Sequence, residues 1–272
     1  MRAATKELLD CCRAVLADYE QQITVRQLYY RLVAGQVIPN TWRDYKRLGG
    51  FLTRWRKEGE LDPNAFVDLT RKPNKAQIWP DLASFLEAVR NSYRRDPWQT
   101  QDGRPEVWLE KEALVTVIDP VCREWGVTLQ VCRGYPSVSC LYAAAQRTAR
   151  ILYFGDFDPS GQDIPRNIRH ELEETWGAEV SLDLIALTPE QIAEHNLPPA
   201  PAKATDSRTP RFVAQHGVDT VELDALPPDV LSALVRGAIE EEIVDNSAWD
   251  LEQKRGESER AKLAVITRRI EK

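Results

Sequence analysis

The amino-acid sequence predicts a mixed α/β fold in two parts: a winged-helix-like helical domain over residues 1–98 and a Rossmann-like α/β domain with a parallel sheet over residues 105–272. Two patterns lead to this prediction. Up to about residue 95, apolar residues recur every three or four positions, as on amphipathic helices. Beyond residue 105, short apolar runs alternate with helical segments, as in parallel α/β sheets. With 272 residues, 43% of them hydrophobic, the chain can bury the core that this fold needs.

Three helices are predicted before residue 60. The first covers residues 5–20, where apolar residues follow helical spacing. The second begins at Thr24, a suitable N-cap, and ends at Gly35. Its inward stripe includes Tyr29, so the neighbouring Tyr30, about 100° further round the helix, can face solvent. The alternative is that Tyr30 belongs to the core or its boundary, as tyrosines on amphipathic helices usually do. The third helix begins at Asn40 and runs to about Lys57.

The third predicted helix is the candidate DNA-reading element. It interleaves aromatic residues with basic ones, which suits contact with a polyanion. A short β-prone piece at residues 65–71 follows it, and three helices with a small β element make a winged helix reasonable. A small helical domain with a basic face is the alternative. The candidate DNA-binding residues are Arg43, Lys46, Arg47, Arg54, Arg56 and Lys57.

After a further helix over residues 80–95, the polar stretch 96–106 is interpreted as a linker between the two domains. Four strands and the helices between them follow. Strands are expected at 106–109, 127–132, 150–156 and 180–187. The remainder predicts an arginine-rich loop, a strand at 218–223, a helix after Pro228 and a charged C-terminal helix over residues 247–272.

Charge and composition exclude several classes of protein. Residues 1–104 carry 18 basic and 13 acidic residues, whereas the other 168 carry 18 and 29. A basic half suits nucleic acid and an acidic half suits a divalent cation, although a solvated acidic surface explains the asymmetry as well. No apolar run approaches the roughly 18 residues of a membrane span, so we expect a cytoplasmic, nucleoid-associated protein without membrane contact. Five cysteines without CxxC spacing and three scattered histidines argue against a disulfide framework and a zinc site.

Carboxylates follow two of the predicted strands. Glu110 ends the first, and Asp156 and Asp158 follow the third, two apart on an extended backbone, where they would face the same side. Ligands of parallel sheets bind beyond the carboxyl ends of strands. A hard divalent cation such as Mg²⁺, with Mn²⁺ as a substitute, would relieve the repulsion between these carboxylates. Ordinary turn and N-cap chemistry is the alternative explanation of the Asp-x-Asp-x-Ser-Gly segment.

Four sequence blocks in this order resemble one family. WLEKEAL (108–114), CRGYPSVSC (132–140) and YFGDFDPSGQDI (153–164) look like blocks of the A subunit of DNA topoisomerase VI and its meiotic break-forming relatives. The first and the last of these carry Glu110 and Asp156-x-Asp158, the pattern that resembles the Toprim metal-binding domain. TVRQLYY (24–30) resembles the family's winged-helix segment that ends in the nucleophilic tyrosine. The block CRGYPSVSC departs from the family pattern after its proline, with Ser139-Cys140 where a Thr–Arg pair is common.

The resemblance implies a role for each matching residue. Tyr30 would be the nucleophile and Arg26 its helper, while Glu110, Asp156 and Asp158 would hold Mg²⁺. Lys111 and Arg133 would contact phosphate. The implied activity is Mg²⁺-dependent cleavage of double-stranded DNA through a phosphotyrosyl intermediate.

The family also implies partners. Its active sites combine the tyrosine of one protomer with the metal of the other, which implies a homodimer. Strand passage would need a separate ATPase partner, since no G-x-x-x-x-G-K-[ST] sequence is present. Two other hypotheses stay open: a Toprim nuclease that uses metal-bound water, and a DNA-binding module without catalysis. Glu222 and Asp224 either extend the acidic site or lie on an exposed strand face.

Overall fold

The structure is a computed structural model that describes residues 3–19, 22–66, 76–147, 150–201 and 206–270. It confirms the mixed α/β fold class. Its main sheet is parallel throughout, with strand order β2-β1-β3-β4. The four strands coincide with the four predicted apolar runs: β1 Glu106–Leu109, β2 Thr128–Val131, β3 Arg150–Phe154 and β4 Ser181–Ala186.

The three predicted N-terminal helices are present as α1 Ala3–Ala17, α2 Val25–Ala34 and α3 Trp42–Lys57. The Thr24 hydroxyl accepts the Gln27 N–H, and the Gln27 side chain accepts the Thr24 N–H, so that α2 begins with a capping box. Two of the four unpaired N–H groups at this helix end are thereby satisfied. This cap fixes where α2 begins.

The small β element predicted after α3 lies largely outside the described residues. Phe66 makes an isolated parallel bridge with Ile23, and residues 67–71 are not among those described. The winged-helix arrangement therefore stays a prediction. The fourth helix, α4 Leu82–Ser92, is shorter than the predicted 80–95 because Asp81 caps its start and Tyr93 ends it.

The stretch interpreted as a linker is packed into the protein. Trp98 lies in a short 3₁₀ turn, Pro97–Thr100, and is only 3% exposed. Its indole N–H donates to the Trp125 carbonyl oxygen at 2.6 Å, and its ring packs edge-on against Trp249. A large indole buries apolar area and anchors the chain here, which the polarity of its neighbours does not reveal.

Helices cover both faces of the sheet. Leu109 and Phe154 belong to an apolar cluster that also holds buried residues of α1 to α3, whereas Trp108 and Tyr153 point to the opposite face. The first cluster therefore includes residues of both predicted domains, and the boundary between residues 98 and 105 stays a prediction. The helices of this part are α5 Val115–Trp125, α6 Val138–Ala145 and α7 Pro159–His170, which continues into a π-helical turn, Glu171–Thr175.

The C-terminal third differs in detail from its prediction. The arginine-rich loop contains a helix at Thr209–His216. The strand expected at 218–223 is reduced to two residues, Asp219–Thr220, and one bridge from Val221 to Phe157. Both changes bring residues 206–224 against the carboxyl end of β3. No helix in the described ranges is long and apolar enough to cross a membrane. The elements are α8 Pro189–Glu194, β5 Ala200–Pro201, α9 Thr209–His216, β6 Asp219–Thr220, α10 Pro228–Glu240 and α11 Asn246–Ile270.

Candidate functional site

Two predicted carboxylates meet at the carboxyl edge of the sheet. Leu109 of β1 lies opposite Phe154 of β3 in the parallel register, so the residues that follow these strands are neighbours. The Glu110 carboxylate oxygen Oε2 accepts the backbone N–H of Asp156 at 3.0 Å. The parallel pairing of β1 and β3 is therefore what brings Glu110 to Asp156.

Two glycines allow this close approach. A Cβ atom at position 155 would lie 2.8 Å from Oε2 of Glu110, and one at position 161 would overlap the Asp156 carbonyl group. The Asp158 side chain accepts the Gly161 N–H at 2.7 Å and caps α7. Asp158 thus performs the N-cap role that the sequence offered as the alternative to metal binding.

Lys111 occupies the centre of an acidic cluster. Its ammonium nitrogen Nζ lies 2.9 Å from Asp156 Oδ1, 2.7 Å from Glu222 Oε2 and 2.8 Å from Asp224 Oδ2. The family resemblance implies that Lys111 contacts phosphate. Here its ammonium group is ion-paired with three carboxylates. Lys111 therefore links β1, β3 and the turn after β6 into one ion-paired group.

Asp224 extends the acidic site, and the alternative of an exposed strand face is wrong for it. Its side chain is fully buried and lies in a 3₁₀ turn, Leu223–Ala225. The Arg26 Nε atom lies 3.4 Å from Asp224 Oδ2, and Arg26 also pairs with Glu222. Oδ1 of Asp224 is buried and has no hydrogen-bond partner among the described residues. An unpaired buried carboxylate oxygen is costly, which marks this atom as a site for a donor or cation.

The Asp156 carboxylate receives one further bond that the sequence could not reveal. The backbone N–H of Leu223 donates to Asp156 Oδ1 at 2.8 Å across 67 positions of the chain. The arginine Arg31 similarly donates to the Ala225 carbonyl oxygen. Contacts between such distant segments depend on how α2 and the 223–225 turn pack, for which the local pattern carries no signal.

Tyr30 is buried, so of the two positions that the sequence left open, the core and the solvent-facing side of α2, it occupies the core. It is 5% exposed and Tyr29 is 4% exposed. The Tyr29 hydroxyl donates to the loop before α3, lying 3.1 Å from the Thr41 carbonyl oxygen. The other side of α2 packs on the 223–225 turn, so both tyrosines are enclosed. The Arg26 guanidinium carbon lies 5.9 Å from the centre of the Tyr30 ring.

The charges of the sheet edge act on the Tyr30 hydroxyl. Burial raises the pKa of Tyr30 above its usual value, and the positive charges of Arg26 and Lys111 oppose that rise. The carboxylates of Asp224 and Asp156 add to it. Tyr30 is therefore a neutral phenol at neutral pH, close to two cations that would stabilise its anion.

An aromatic cleft of about 190 Å³ adjoins Tyr30. Trp42 is 65% exposed at this cleft and stacks on Tyr45, with ring centres 5.4 Å apart. Exposed, stacked aromatic rings are suited to contact with nucleic-acid bases. The other described residues that line the cleft are Arg26, Tyr29, Asn40, Thr41, Ala200 and Glu222.

Glu110 carries negative charge that its surroundings do not fully balance. Burial, followed by the charge of Asp156, raises the pKa of Glu110 to about 7. Burial also raises the pKa of Asp156, although Lys111 and the Leu223 N–H lower it. Carboxylates in this state favour either a proton or an added cation.

The donor chemistry fits a hard cation, although the carboxylates are not gathered around one point. Within the described ranges, no three or more Asp, Glu, His or Cys side chains are grouped so that they could hold a metal ion. Glu110, Asp156 and Asp224 offer carboxylate oxygens, the type of ligand that Mg²⁺ prefers. The raised pKa of Glu110 and the unpartnered Asp224 oxygen both indicate room for positive charge.

Five of the six predicted basic residues on α3 share one exposed face. At 100° per residue they fall within about 100° of arc, opposite the buried Leu48, Leu52 and Trp55. Arg56 departs from this stripe, since its Nε–H donates to the Leu52 carbonyl oxygen and its guanidinium covers Phe66. Away from α3, Arg133 is exposed and pairs with Glu112. The residues of this basic stripe are Arg43, Lys46, Arg47, Arg54 and Lys57.

In comparisons with known proteins, no protein-family model and no curated protein matched the chain. The resemblance to the topoisomerase VI A subunit therefore rests on the four sequence blocks. The geometry adds that three of these blocks contribute to one site, through Arg26 and Tyr30, Glu110 and Lys111, and Asp156. The function that follows is argued from this site.

Proposed function

We propose that this protein cleaves double-stranded DNA by tyrosine transesterification, with Tyr30 as the nucleophile, in the manner of a topoisomerase VI A subunit. One observation carries the proposal: α2 holds Tyr30 beside Arg26 and within the electrostatic influence of Lys111 and Asp156. Tyr30 belongs to the first of the four sequence blocks, whereas Lys111 and Asp156 belong to later ones. A nucleophilic tyrosine needs such charged groups close to its hydroxyl.

The reaction assigns a task to each group. The Tyr30 oxygen forms a bond to a backbone phosphorus, the phosphorus–sugar oxygen bond breaks, and the released sugar oxygen takes up a proton. The phenol passes its proton to water as it attacks, water supplies the proton that the sugar oxygen takes up, and the Arg26 guanidinium stabilises the negative charge that develops on the tyrosyl oxygen. Because the phosphotyrosyl bond stores the energy of the broken one, the reverse attack reseals the strand.

Glu110 and Asp156 would hold Mg²⁺ or Mn²⁺, together with the Asp158 carboxylate oxygen that does not accept the Gly161 N–H. When bound, such an ion neutralises charge that develops on the phosphate. Without it, Lys111 and Arg26 hold the carboxylates of Asp156 and Asp224. Lys111 and Arg26 therefore balance the negative charge of this acidic cluster while no metal ion is bound.

DNA binding is supported by the basic stripe of α3 and by the exposed Trp42 at the cleft beside Tyr30. The stripe offers five positive charges on one face, suited to backbone phosphates. By analogy with the family, we propose a homodimer that cuts both strands, a nucleoid-associated location in the cytoplasm, and a separate ATPase partner where strand passage occurs. The proposal departs from the family in one respect: Tyr30 lies beside the carboxylates of its own chain, so each protomer would supply both the tyrosine and the carboxylates of one active site.

A second candidate function is hydrolytic cleavage of DNA by the same carboxylates. The burial of Tyr30, at 5% exposure, favours it, because enclosed tyrosines on amphipathic helices usually serve packing. In that case a metal-bound water would be the nucleophile and Tyr30 would have no chemical role. The two candidates differ in their products, since hydrolysis leaves no protein on the DNA.

The test is a trapping experiment with end-labelled supercoiled DNA and Mg²⁺ or Mn²⁺. The reaction is quenched with detergent, and half of it is treated with protease. We expect label to stay with the protein until proteolysis, and Tyr30→Phe to abolish this adduct. Tyr29→Phe is the matched control and should retain it. Free cleaved ends without adduct would favour the nuclease and contradict the proposal.

A further inference from the structure

A cleft of about 380 Å³ opens between α7 and α9, beside the carboxylate site. It begins at Pro159, the residue directly after Asp158, and its opposite wall is α9. Phe157, between the two aspartates, packs edge-on against Phe212 and His216 of that wall, with ring centres 5.3 and 5.2 Å away. The cleft and the loop that carries the aspartates are therefore one packed unit.

The cleft presents more positive than negative charge. Among the described residues that line it, Arg166, Arg208 and Arg211 face a single carboxylate, Asp163. Asp163 lies 2.7 Å from an Arg166 nitrogen and 3.4 Å from Arg208 Nε, and it accepts the Tyr135 hydroxyl at 2.6 Å. One acidic group thus positions two of the three guanidinium groups.

Arg208 is held in place from several sides. Its guanidinium lies 5.2 Å from the centre of the Tyr135 ring and 3.1 Å from Asp206. A guanidinium fixed by a ring and two carboxylates loses little freedom when it binds an anion. Arg208 is therefore already held in position before a ligand binds.

Two donors in the cleft lack partners. Arg211 is exposed and makes no hydrogen bond or ion pair with any described residue. The Gln162 side-chain nitrogen is buried and has no hydrogen-bond partner in the described part of the chain. A buried amide donor without an acceptor costs free energy unless a ligand supplies one. Both donors match an acceptor-rich anion such as a phosphate.

We infer that this α7–α9 cleft binds a phosphodiester group of the DNA strand that leads into the carboxylate site. The inference rests on the proposed function and adds to it a strand path that is separate from α3. Its volume of about 380 Å³ lies within the range of small-ligand sites. The aromatic wall of Phe212 and His216 would lie beside the sugar or base, and Arg208 and Arg211 would contact the phosphate.

The test compares the binding of a fluorescent 20-base-pair duplex to wild-type protein, Arg211→Gln and Arg123→Gln, without added metal and at several salt concentrations. Arg123 is an exposed arginine on α5 and serves as the control for lost charge. We expect Arg211→Gln to weaken binding about tenfold and to reduce the magnitude of the salt slope by about one. Arg123→Gln should bind as wild type does, and equal melting temperatures would show that both variants fold.

Deoxythymidine monophosphate serves as a second probe that separates a strand from a free nucleotide. We expect no competition by this nucleotide at concentrations where the duplex is bound. Equal duplex affinity and salt slope for Arg211→Gln and Arg123→Gln would overturn the cleft inference while leaving the tyrosine adduct unaffected. Nucleotide binding that depends on Arg211, with unchanged duplex affinity, would overturn the strand assignment. A wild-type protein that binds no duplex would overturn both the inference and the proposed function.

Discussion

Lys111 is the side chain on which the charge balance of the site depends. Its side chain is 18% exposed and contacts three carboxylates, two of which are themselves buried. Like charges this close repel strongly in a partly desolvated site. The ammonium group therefore does, within one chain, what an added cation would otherwise do.

Replacing Lys111 with methionine should destabilise the protein. The variant keeps the side chain's bulk but leaves Asp156 and Asp224 without their shared cation, and we expect a loss of about 3 kcal/mol in the free energy of unfolding. Urea denaturation measures it, and Mg²⁺ should restore more stability to this variant than to the wild type. Arg123→Met, which removes an exposed ion pair with Asp119, should cost less than about 0.5 kcal/mol. Equal losses in the two variants would contradict the role given to Lys111.

Glu110 makes the stability of the metal-free protein depend on pH. Its pKa is raised to about 7 in the folded protein from an ordinary value of 4.5. The folded state therefore binds the proton more tightly than the unfolded state, and stability falls as pH rises from about 5 through 7. We expect a loss on the order of 2 kcal/mol across this window.

Thermal unfolding of the metal-free protein between pH 5 and pH 8 measures this loss. Glu110→Gln removes the titrating group and should flatten the profile in this window. Added Mg²⁺ should counteract the fall at the upper end, where Glu110 is ionised. A melting temperature that rises steadily from pH 5 to pH 8 in the wild type would contradict the pKa direction of Glu110.

At the level of elements, the turn from β3 into α7 is the tightest part of the site. Gly161 lies against the Asp156 carbonyl, and Asp158 caps the helix through the Gly161 N–H. The sequence segment Gly-Asp-Phe-Asp-Pro-Ser-Gly predicted this turn and the start of the helix. It left open whether Asp158 caps the helix or binds a metal, because a cap and a ligand have the same residue type and spacing.

Gly161→Ala should destabilise the protein by about 2 kcal/mol, because its Cβ would overlap the Asp156 backbone. Gly237→Ala is the matched control in α10, where a Cβ meets nothing within 4 Å. That change should be neutral or stabilise by about 0.5–1 kcal/mol through the helix preference of alanine. Chemical denaturation measures both variants. Equal stability of Gly161→Ala and wild type would show that the turn is looser than described.

Most elements of this fold were predictable because each has a local signal. Thr24 and Gly35 bracket α2, and the β1 and β3 runs stand out by their apolar residues. The pattern left the burial of Tyr30 open, since the 223–225 turn that covers α2 lies almost 200 positions away. The packing of Trp98 and the helix α9 were missed for a different reason: polar neighbours concealed a buried anchor and a helix.

For the whole molecule, the account predicts that DNA affinity depends on salt through the basic stripe of α3. Changing Arg43, Lys46 and Arg47 to glutamine removes three charges, and the slope of log affinity against log salt should fall in magnitude by about three. Fluorescence anisotropy with a labelled duplex measures the slope. Arg56→Gln, off the stripe, should leave it unchanged, and an unaltered slope in the triple variant would place the DNA elsewhere.

The position of the site within the whole chain was partly predictable. Glu110 and Asp156 come together because carboxyl ends of parallel strands share an edge, a rule that the sequence pattern alone could use. That Arg26 would reach Asp224, and so connect the N-terminal helices to the C-terminal third, depends on packing over the full chain. The chain thus builds its candidate site from three distant segments.

The central claim is that the Tyr30 oxygen joins the DNA, and peptide mapping of the trapped adduct tests it most directly. Trypsin should release residues 27–31, QLYYR, after nuclease has trimmed the DNA to a nucleotide remnant. The account predicts that fragmentation by mass spectrometry places this remnant on Tyr30. A remnant on Tyr29 or on any other residue, or DNA that is cut without a modified peptide, would contradict it.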